Sequence, residues 1–210
     1  MVRALATQGI LPRTIVDVGA NKGQFTVAAV NLLHPARVHS FEPLPREAAA
    51  LRRHCARYPQ VTVHEVALGD ASSRARLHVN AHSHSSSLLE LGERHRRAFP
   101  SAAEVDVIDV EVSRLDETLD PASLESPVLV KIDTQGYEAK VLAGAEGLLN
   151  ALDWLIIETS FEPLYEGEQT FGGVVERVAE LGYRFVRPVG SLCDPATGEF
   201  LQMDVLFERT

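Results

Sequence analysis

Short apolar runs alternate with amphipathic segments along almost the whole chain. The runs, many of them rich in β-branched residues, predict strands at residues 14–18, 37–42, 61–68, 74–79, 105–112, 128–133, 154–158, 183–186 and 202–207. Helical spacing and proline or glycine boundaries predict helices at residues 1–8, 22–33, 45–58, 88–99, 138–152 and 171–181. This order predicts an α/β, Rossmann-like fold, with a mostly parallel sheet, helices on both faces and an antiparallel C-terminal edge hairpin.

A glycine turn joins the first predicted strand to the helix that follows it. Gly19 and Gly23 frame the turn, and Asn21 between them tolerates a left-handed backbone better than most residues. The N-terminus of the following helix can hold an anionic or hydroxyl-bearing group. Such turns also occur for packing alone, so the turn by itself leaves the function open.

Carboxylates lie at or near the ends of several predicted strands, where ligands bind in an open α/β sheet. Glu42 lies 25 positions after Asp17 and ends the second strand, where a carboxylate can accept both hydroxyls of a ribose. This spacing fits either a dinucleotide or S-adenosylmethionine. Because the turn lacks the G-x-G-x-x-G arrangement that approaches a pyrophosphate, it favours a ligand without one.

Composition narrows the class of protein. With 210 residues and 45% hydrophobic residues, we expect one domain spanning residues 1–210. A net charge of −9 argues against nucleic acid as the main partner. The basic groups at residues 52–53 and 94–97 are most simply read as solvated helix faces.

Cysteine use and hydropathy bear on location. Cys55 and Cys193 lack metal-ligand spacing, so we expect free thiols in a reducing compartment. The sequence has neither an apolar run of the roughly 20 residues that cross a bilayer nor the apolar core of a secretory signal. We therefore expect no membrane span and a soluble, cytoplasmic protein.

Several blocks together resemble a known family. They are Asp17-Val-Gly-Ala-Asn-Lys-Gly23, Phe41-Glu42-Pro43, Val66-Ala67-Leu68-Gly69, Ser86-Ser87-Leu88, Lys131-Ile-Asp-Thr-Gln-Gly-Tyr-Glu138 and Ile156-Ile157-Glu158. In this order, across almost the whole chain, they resemble the FkbM-type S-adenosylmethionine-dependent O-methyltransferases.

The resemblance implies S-adenosylmethionine as the cofactor, lying across the strand ends. The residues that it implies for cofactor binding are Asp17, Gly19, Ala20, Asn21, Gly23, Glu42, Pro43, Ala67, Leu68, Ser86, Ser87 and Asp133. Asp17, Gly19 and Asn21 would border the methionine part, Glu42 the ribose, and Ala67 with Leu68 the adenine. The acceptor would be a hydroxyl of a small molecule, such as a sugar of a glycolipid or of a glycosylated natural product. Since few residues precede the first strand, we expect a substrate-covering N-terminal segment to be missing.

Methyl transfer to an alcohol needs alignment of the two reactants, and a base helps. Asp133 is the first candidate base, followed by Glu138, Glu158 and His84. Asp133 can instead be a structural acid that binds backbone amides, and Glu138 a first-turn helix acid. Asp133 and Glu158 offer oxygens to Mg²⁺ but lack a visible third ligand, and a His-rich polar loop is more often solvated, so we expect no metal.

Two further functions remain open. One is a binding module that holds S-adenosylmethionine without turnover, and the other is an NAD-binding oxidoreductase. The sequence disfavours base methylation in nucleic acid, because Asp133-Thr-Gln-Gly136 differs from the Asn/Asp-Pro-Pro-aromatic step typical of those enzymes. It also lacks the G-x-S-x-G elbow of a nucleophilic hydrolase. No pattern encodes the acceptor.

Overall fold

The computed structural model describes residues 1–81, 85–99, 104–194 and 196–210. Its strands are β1 (Thr14–Val18), β2 (Arg37–Phe41), β3 (Val61–His64), β4 (Ala67–Leu68), β5 (Ser73–Asn80), β6 (Glu104–Ser113), β7 (Val128–Ile132), β8 (Trp154–Ser160), β9 (Tyr183–Cys193) and β10 (Phe200–Arg209). Its α-helices are α1 (Val2–Thr7), α2 (Gln24–Leu33), α3 (Pro45–Cys55), α4 (Glu93–Ala98), α5 (Leu115–Thr118), α6 (Glu138–Ala143) and α7 (Phe171–Glu180). Short 3₁₀ helices occupy Pro121–Ser123 and Glu146–Ala151.

Seven strands form the main sheet, in the order β3-β2-β1-β7-β8-β10-β9. The first five are parallel, and β10 runs antiparallel to both β8 and β9. The predicted α/β fold class and its antiparallel C-terminal hairpin are confirmed. β10 lies inside the sheet, and β9 forms the edge.

Helices cover both faces of the central strands. Every residue of β1 and β7 is buried, which explains why both strands are mostly apolar, with Asp17 and Lys131 as buried charged exceptions. On one face Val130 and Ile157 pack with residues of α6 and α7, and on the other Ile15 and Leu129 pack with residues of α1 and α2. The carboxyl ends of the parallel strands therefore lie along one edge of the sheet, where the loops that follow each strand also lie.

A second sheet of three strands, ordered β4-β6-β5, was not predicted. The strand predicted at residues 61–68 is wrong as one element. Its first half pairs with β2, whereas Ala67 and Leu68 leave the main sheet and pair with Val112 and Ser113 of β6. The rest of β6 pairs with β5 alone, and near its end the buried Val110 and Val112 alternate with the exposed Glu111.

All six predicted helices are longer than the observed ones, and the structure shows the reason for three of them. The helix predicted at 88–99 shrinks to α4, because the amide of Gly92 donates to the Leu164 carbonyl at 2.7 Å and holds the preceding residues extended. The helix predicted at 138–152 breaks at Gly144, where a Cβ would lie 1.9 Å from the Gly69 carbonyl oxygen. α2 starts at Gln24, since Gly23 has a left-handed φ of 92°.

Both cysteines are free thiols, as predicted, with Cys55 buried and Cys193 half-buried. Within the described ranges, every helix is too short or too polar to span a bilayer.

Candidate functional site

A cavity of about 470 Å³ opens at the carboxyl ends of β1, β2 and β7. Its volume lies in the range of roughly 300–1,000 Å³ that is usual for sites holding small ligands. The predicted site residues that line it are Gly19, Asn21, Glu42, Pro43, Ala67, Leu68, Ser86, Ser87, Asp133 and Glu158. Asp17, Ala20, Gly23 and Glu138 are not among its lining residues, and His84 lies outside the described residues.

The glycine turn adopts left-handed backbone at Gly19, Asn21 and Gly23, with φ values of 79°, 48° and 92°. A Cβ on Gly19 would lie 1.9 Å from the carbonyl oxygen of Asp133, and one on Gly23 would lie 2.6 Å from a methyl of Leu51. Gly19 is therefore required by packing against the backbone, whereas Gly23 is favoured mainly by its left-handed φ. The turn is set by these contacts before any ligand is considered.

Glu42 lies directly after β2 and is 4% exposed. One of its carboxylate oxygens accepts the amide of Asn21 and the other accepts the amide of Leu44, both at 2.8 Å. Burial raises the pKa of Glu42 to about 7, against the lowering effect of these two amides. Each oxygen has a lone pair left that can accept a hydroxyl.

Asp17 is fully buried beneath the turn. One oxygen accepts the hydroxyl of Thr26 at 2.6 Å, and the other has no hydrogen-bond donor among the described residues. Burial raises the pKa of Asp17, while the nearby charge of Lys131 lowers it. Asp17 does not line the cavity, but because it lies directly beneath the turn, its charge can act on the site across the turn.

A hydrogen-bonded group of side chains joins the ends of β7, β8 and β10. The Nζ of Lys131 donates to Asp133 at 2.8 Å, and the Nε2 of Gln135 donates to Asp133 at 2.9 Å and to Glu158 at 2.7 Å. Gln202 donates to the same Glu158 oxygen at 2.9 Å. Asp133 and Glu158 are thereby held side by side on the cavity wall.

The pKa values of several side chains in and beside this group are strongly shifted. Burial would lower the pKa of Lys131, but the carboxylates of Asp133, Asp17 and Asp204 raise it above its ordinary value. Burial, followed by repulsion from Asp133, raises the pKa of Glu158 well above its usual range and that of Asp204 to about 6. This end of the cavity suits a positively charged group.

Glu138 serves the loop that follows Asp133. Its Oε1 accepts the amide of Thr134 at 2.7 Å and that of Gly136 at 3.2 Å. Burial raises the pKa of Glu138 to about 7. These contacts agree with the alternative of a first-turn helix acid.

The cavity wall opposite Asp133 and Glu158 is apolar, and the segment that contains Ser86 and Ser87 closes it. Ala67 and Leu68 line it together with Leu77. The hydroxyl of Ser87 donates to the Gln135 carbonyl at 2.6 Å, and the hydroxyl of Ser86 accepts the amide of Asn80 at 3.0 Å. The wall offers an apolar surface to a base.

The lining residues that were not predicted include Gln135, Gln202, Asp204 and His95. Gln135 lies inside the block from Lys131 to Glu138, but the family resemblance assigns no role to its side-chain amide. Gln202 and Asp204 begin an antiparallel strand, whose start, and not its end, lies at the ligand edge of the sheet. His95 sits in a run of basic residues that reads as solvent-facing, and only its burial in the structure reveals it.

Metal ligands are not gathered anywhere in the described part of the chain: it contains no group of three His, Cys, Asp or Glu side chains that could hold an ion.

Comparison with known proteins adds to this geometry. The family model for the methyltransferase FkbM domain matches residues 17–185. The 2-O-methyltransferase NoeI of Sinorhizobium fredii is 30% identical over 183 residues, which are 83% of this chain and 75% of that protein. The 31-O-demethyl-FK506 methyltransferase FkbM of Streptomyces tacrolimicus is 29% identical over 197 residues, 82% of this chain and 73% of that protein.

Among solved structures, a methyltransferase FkbM from Methylobacillus flagellatus superimposes with a TM-score of 0.55 at 15% identity. The alignment covers 92% of this chain and 43% of that one, so this chain spans less than half of that protein. At this identity the likeness concerns the fold.

Proposed function

This chain belongs to the FkbM methyltransferase family, and from that premise we propose that it transfers a methyl group to a hydroxyl of a small molecule. The family uses S-adenosylmethionine, so the chain is an S-adenosylmethionine-dependent methyltransferase. The proposed acceptor is a sugar of a glycolipid or of a glycosylated natural product. The names of the two relatives support this proposal, since one is called a 2-O-methyltransferase and the other a 31-O-demethyl-FK506 methyltransferase.

One observation carries the proposal: a single cavity joins a ribose-type carboxylate to a pair of acids at the strand ends. Glu42 retains free lone pairs at one position, and Ala67 and Leu68 offer an apolar wall. Asp133, paired with Lys131, lies beside Glu158, whose ionised form a positively charged ligand would favour. These groups match the hydroxyls, the base and the positive charge of S-adenosylmethionine in kind. The residues present therefore fit the cofactor.

In this proposal, Glu42 holds the ribose hydroxyls and the turn from Gly19 to Gly23 borders the methionine part. The bound cofactor supplies an electrophilic methyl group attached to a positive sulfur. Asp133 and Glu158, fixed by Gln135, favour positive charge near the reacting centre. Positioning of this kind can contribute about 7–11 kcal/mol to lowering the barrier.

The acidic character of the chain supports a small acceptor over nucleic acid. The 29 acidic residues exceed the 20 basic residues, and four carboxylates line the cavity: Glu42, Asp133, Glu158 and Asp204. A phosphate backbone would be repelled there. A cytoplasmic location completes the proposal and is supported by the two unpaired cysteines.

Calorimetry with S-adenosylmethionine, in parallel with NAD, tests the cofactor. We expect binding of S-adenosylmethionine only, strongly weakened in Glu42→Ala and unchanged in Glu65→Ala, an exposed acid paired with Arg52. Absence of binding by the wild-type protein would refute the proposal, and binding of NAD alone would support an oxidoreductase.

A second measurement separates an enzyme from a binding module. The protein is incubated with ¹³C-methyl-labelled S-adenosylmethionine and a panel of neutral methyl glycosides, and products are identified by their mass shift. We expect a methylated glycoside. Cofactor binding without any methylated product would favour the binding module.

A further inference from the structure

His95 occupies an unexpected place in α4. Its neighbours Arg96 and Arg97 are exposed, whereas His95 is 3% exposed and lines the cavity. Its ring packs against Phe99 and Tyr165, with centroids 5.3 Å away in both cases. A single helical turn therefore directs one imidazole into the cavity and its basic neighbours toward solvent.

Neither ring nitrogen of His95 has a hydrogen-bond partner among the described residues. Buried polar groups in proteins are almost always hydrogen-bonded, and each exception calls for an explanation. Burial lowers the pKa of His95, so its ring is neutral at pH 7, with one nitrogen free to accept a proton and the other able to donate one. The unmet hydrogen bonds face a cavity built for a ligand.

Contacts place His95 near the acid pair and on the side of β10. Tyr165, which packs on its ring, donates to the Oε1 of Gln135 at 2.7 Å, and Gln135 bonds both Asp133 and Glu158. Phe99, its other partner, packs on the cluster containing Leu201, which precedes Gln202 in β10. Glu42, assigned to the ribose, lies instead at the end of β2.

We propose that His95 contacts the acceptor hydroxyl and takes its proton during methyl transfer, a role that rests on the proposed function. The O–H bond breaks and an N–H bond forms on the imidazole, while the oxygen gains the methyl group and the sulfur of the donor keeps the electron pair of the broken C–S bond. The imidazolium then releases its proton to water. One proton leaves for each methyl group transferred.

Asp133 and Glu158 are the earlier candidate bases that line this cavity, and the geometry favours His95 over both, because Glu158 already accepts from Gln135 and Gln202. The two carboxylate oxygens of Asp133 already accept from Lys131 and Gln135, so protonation would weaken an ion pair inside the protein. His95 gains a partner on binding the hydroxyl and loses none. Asp133 then acts by its charge and by fixing Gln135.

The contact can be measured without turnover. Protein labelled with ¹⁵N-histidine is titrated with ethylene glycol as the hydroxyl probe, and the His95 ring signals are identified by their absence in His95→Phe. We expect the His95 ring nitrogens to shift, while those of His34, an exposed residue at the end of α2, stay constant. Unchanged His95 signals would overturn the proposal.

Turnover gives the second readout, using the methyl glycoside that the wild-type protein methylates. His95→Phe keeps the aromatic packing and removes both nitrogens, so we expect kcat to fall about 10²–10⁴-fold with S-adenosylmethionine affinity unchanged. His34→Asn serves as the control and should match the wild type. Should His95→Phe fail to fold, His95→Gln replaces it, since an amide can accept a hydrogen bond but no proton.

A kcat within about threefold of the wild type in a folded, cofactor-binding variant would overturn the role in proton transfer, since general-base catalysis is worth far more. If the wild-type protein does not bind S-adenosylmethionine, the proposed function is refuted instead. The ethylene glycol titration would still show whether His95 contacts a hydroxyl.

Discussion

Glu42 combines burial with two backbone hydrogen bonds, and this balance decides its charge. Burial raises its pKa to about 7, so near neutral pH the side chain is half protonated. A ribose hydroxyl donates a strong hydrogen bond to an ionised carboxylate and a weaker one to a protonated carboxyl group. Cofactor affinity should therefore depend on the ionisation of this single residue.

We predict that S-adenosylmethionine binds more tightly as the pH rises through about 7. The ligand favours the ionised form, so a group with a pKa of about 7 should give roughly tenfold tighter binding at pH 8 than at pH 6. Calorimetry across this range measures it. Glu42→Gln cannot ionise and should bind more weakly, without this component of the pH dependence; equal pH profiles for both proteins would contradict the assignment of Glu42.

At the scale of elements, the loop between β7 and α6 is fixed by one carboxylate. Glu138 accepts two backbone amides of residues 134–136, and this loop carries Gln135, which orients the acid pair. Gln135 itself has a left-handed φ of 60° and Gly136 one of 95°. A backbone of this shape needs support from outside the loop.

Glu138→Ala should lower the free energy of unfolding by about 1–3 kcal/mol, because it leaves buried amides without an acceptor. It should also reduce methyl transfer through misplacement of Gln135. The matched control is Glu146→Ala, which removes an exposed ion pair with Arg177 and should change stability by less than about 1 kcal/mol. Urea unfolding of both variants tests this; equal losses would show that the amide contacts of Glu138 contribute no more than an exposed ion pair.

The sequence predicted those elements whose pattern is local. β1 and β7 are mostly apolar because both of their faces are buried, and a glycine turn or a proline lies next to each of them. The split between β3 and β4 depends on pairing with β6 some 45 residues later, which no local pattern records. The shortening of α4 depends in the same way on Leu164.

The residues of the site divide in the same way, into those that the local sequence locates and those that only tertiary structure brings to the cavity. Residues that follow parallel strands, such as Glu42 and Asp133, could be located by position alone. Gln202 and Asp204 reach the cavity because β10 runs in the opposite direction, and His95 reaches it because α4 packs against Tyr165. These placements are tertiary, so sequence spacing did not find them.

At the scale of the whole molecule, charge should decide between acceptor classes. Phosphate neutralisation requires a basic surface, and this chain has an excess of nine acidic residues. The exposed basic residues of α4, Arg96 and Arg97, form a small group beside the acid Glu93. Such a group does not make a phosphate-binding face.

We therefore predict that total bacterial tRNA accepts no methyl label from ¹⁴C-methyl S-adenosylmethionine above the level of a heat-inactivated control. Methyl glycosides assayed in parallel serve as the positive arm. Label that is sensitive to ribonuclease, and that disappears in the double variant Arg96→Glu, Arg97→Glu, would contradict the prediction and identify α4 as a nucleic-acid contact.

The contact between Gly19 and the Asp133 carbonyl has a consequence for mutagenesis. Any side chain at position 19 would first push apart the ends of β1 and β7, since the carbonyl oxygen already occupies the space of its Cβ. In a saturation library, intolerance at this position reports on fold integrity and carries no information about ligand contact. Redesign of cofactor preference should begin instead at residues whose side chains line the cavity away from this contact, such as Leu68 and Leu77.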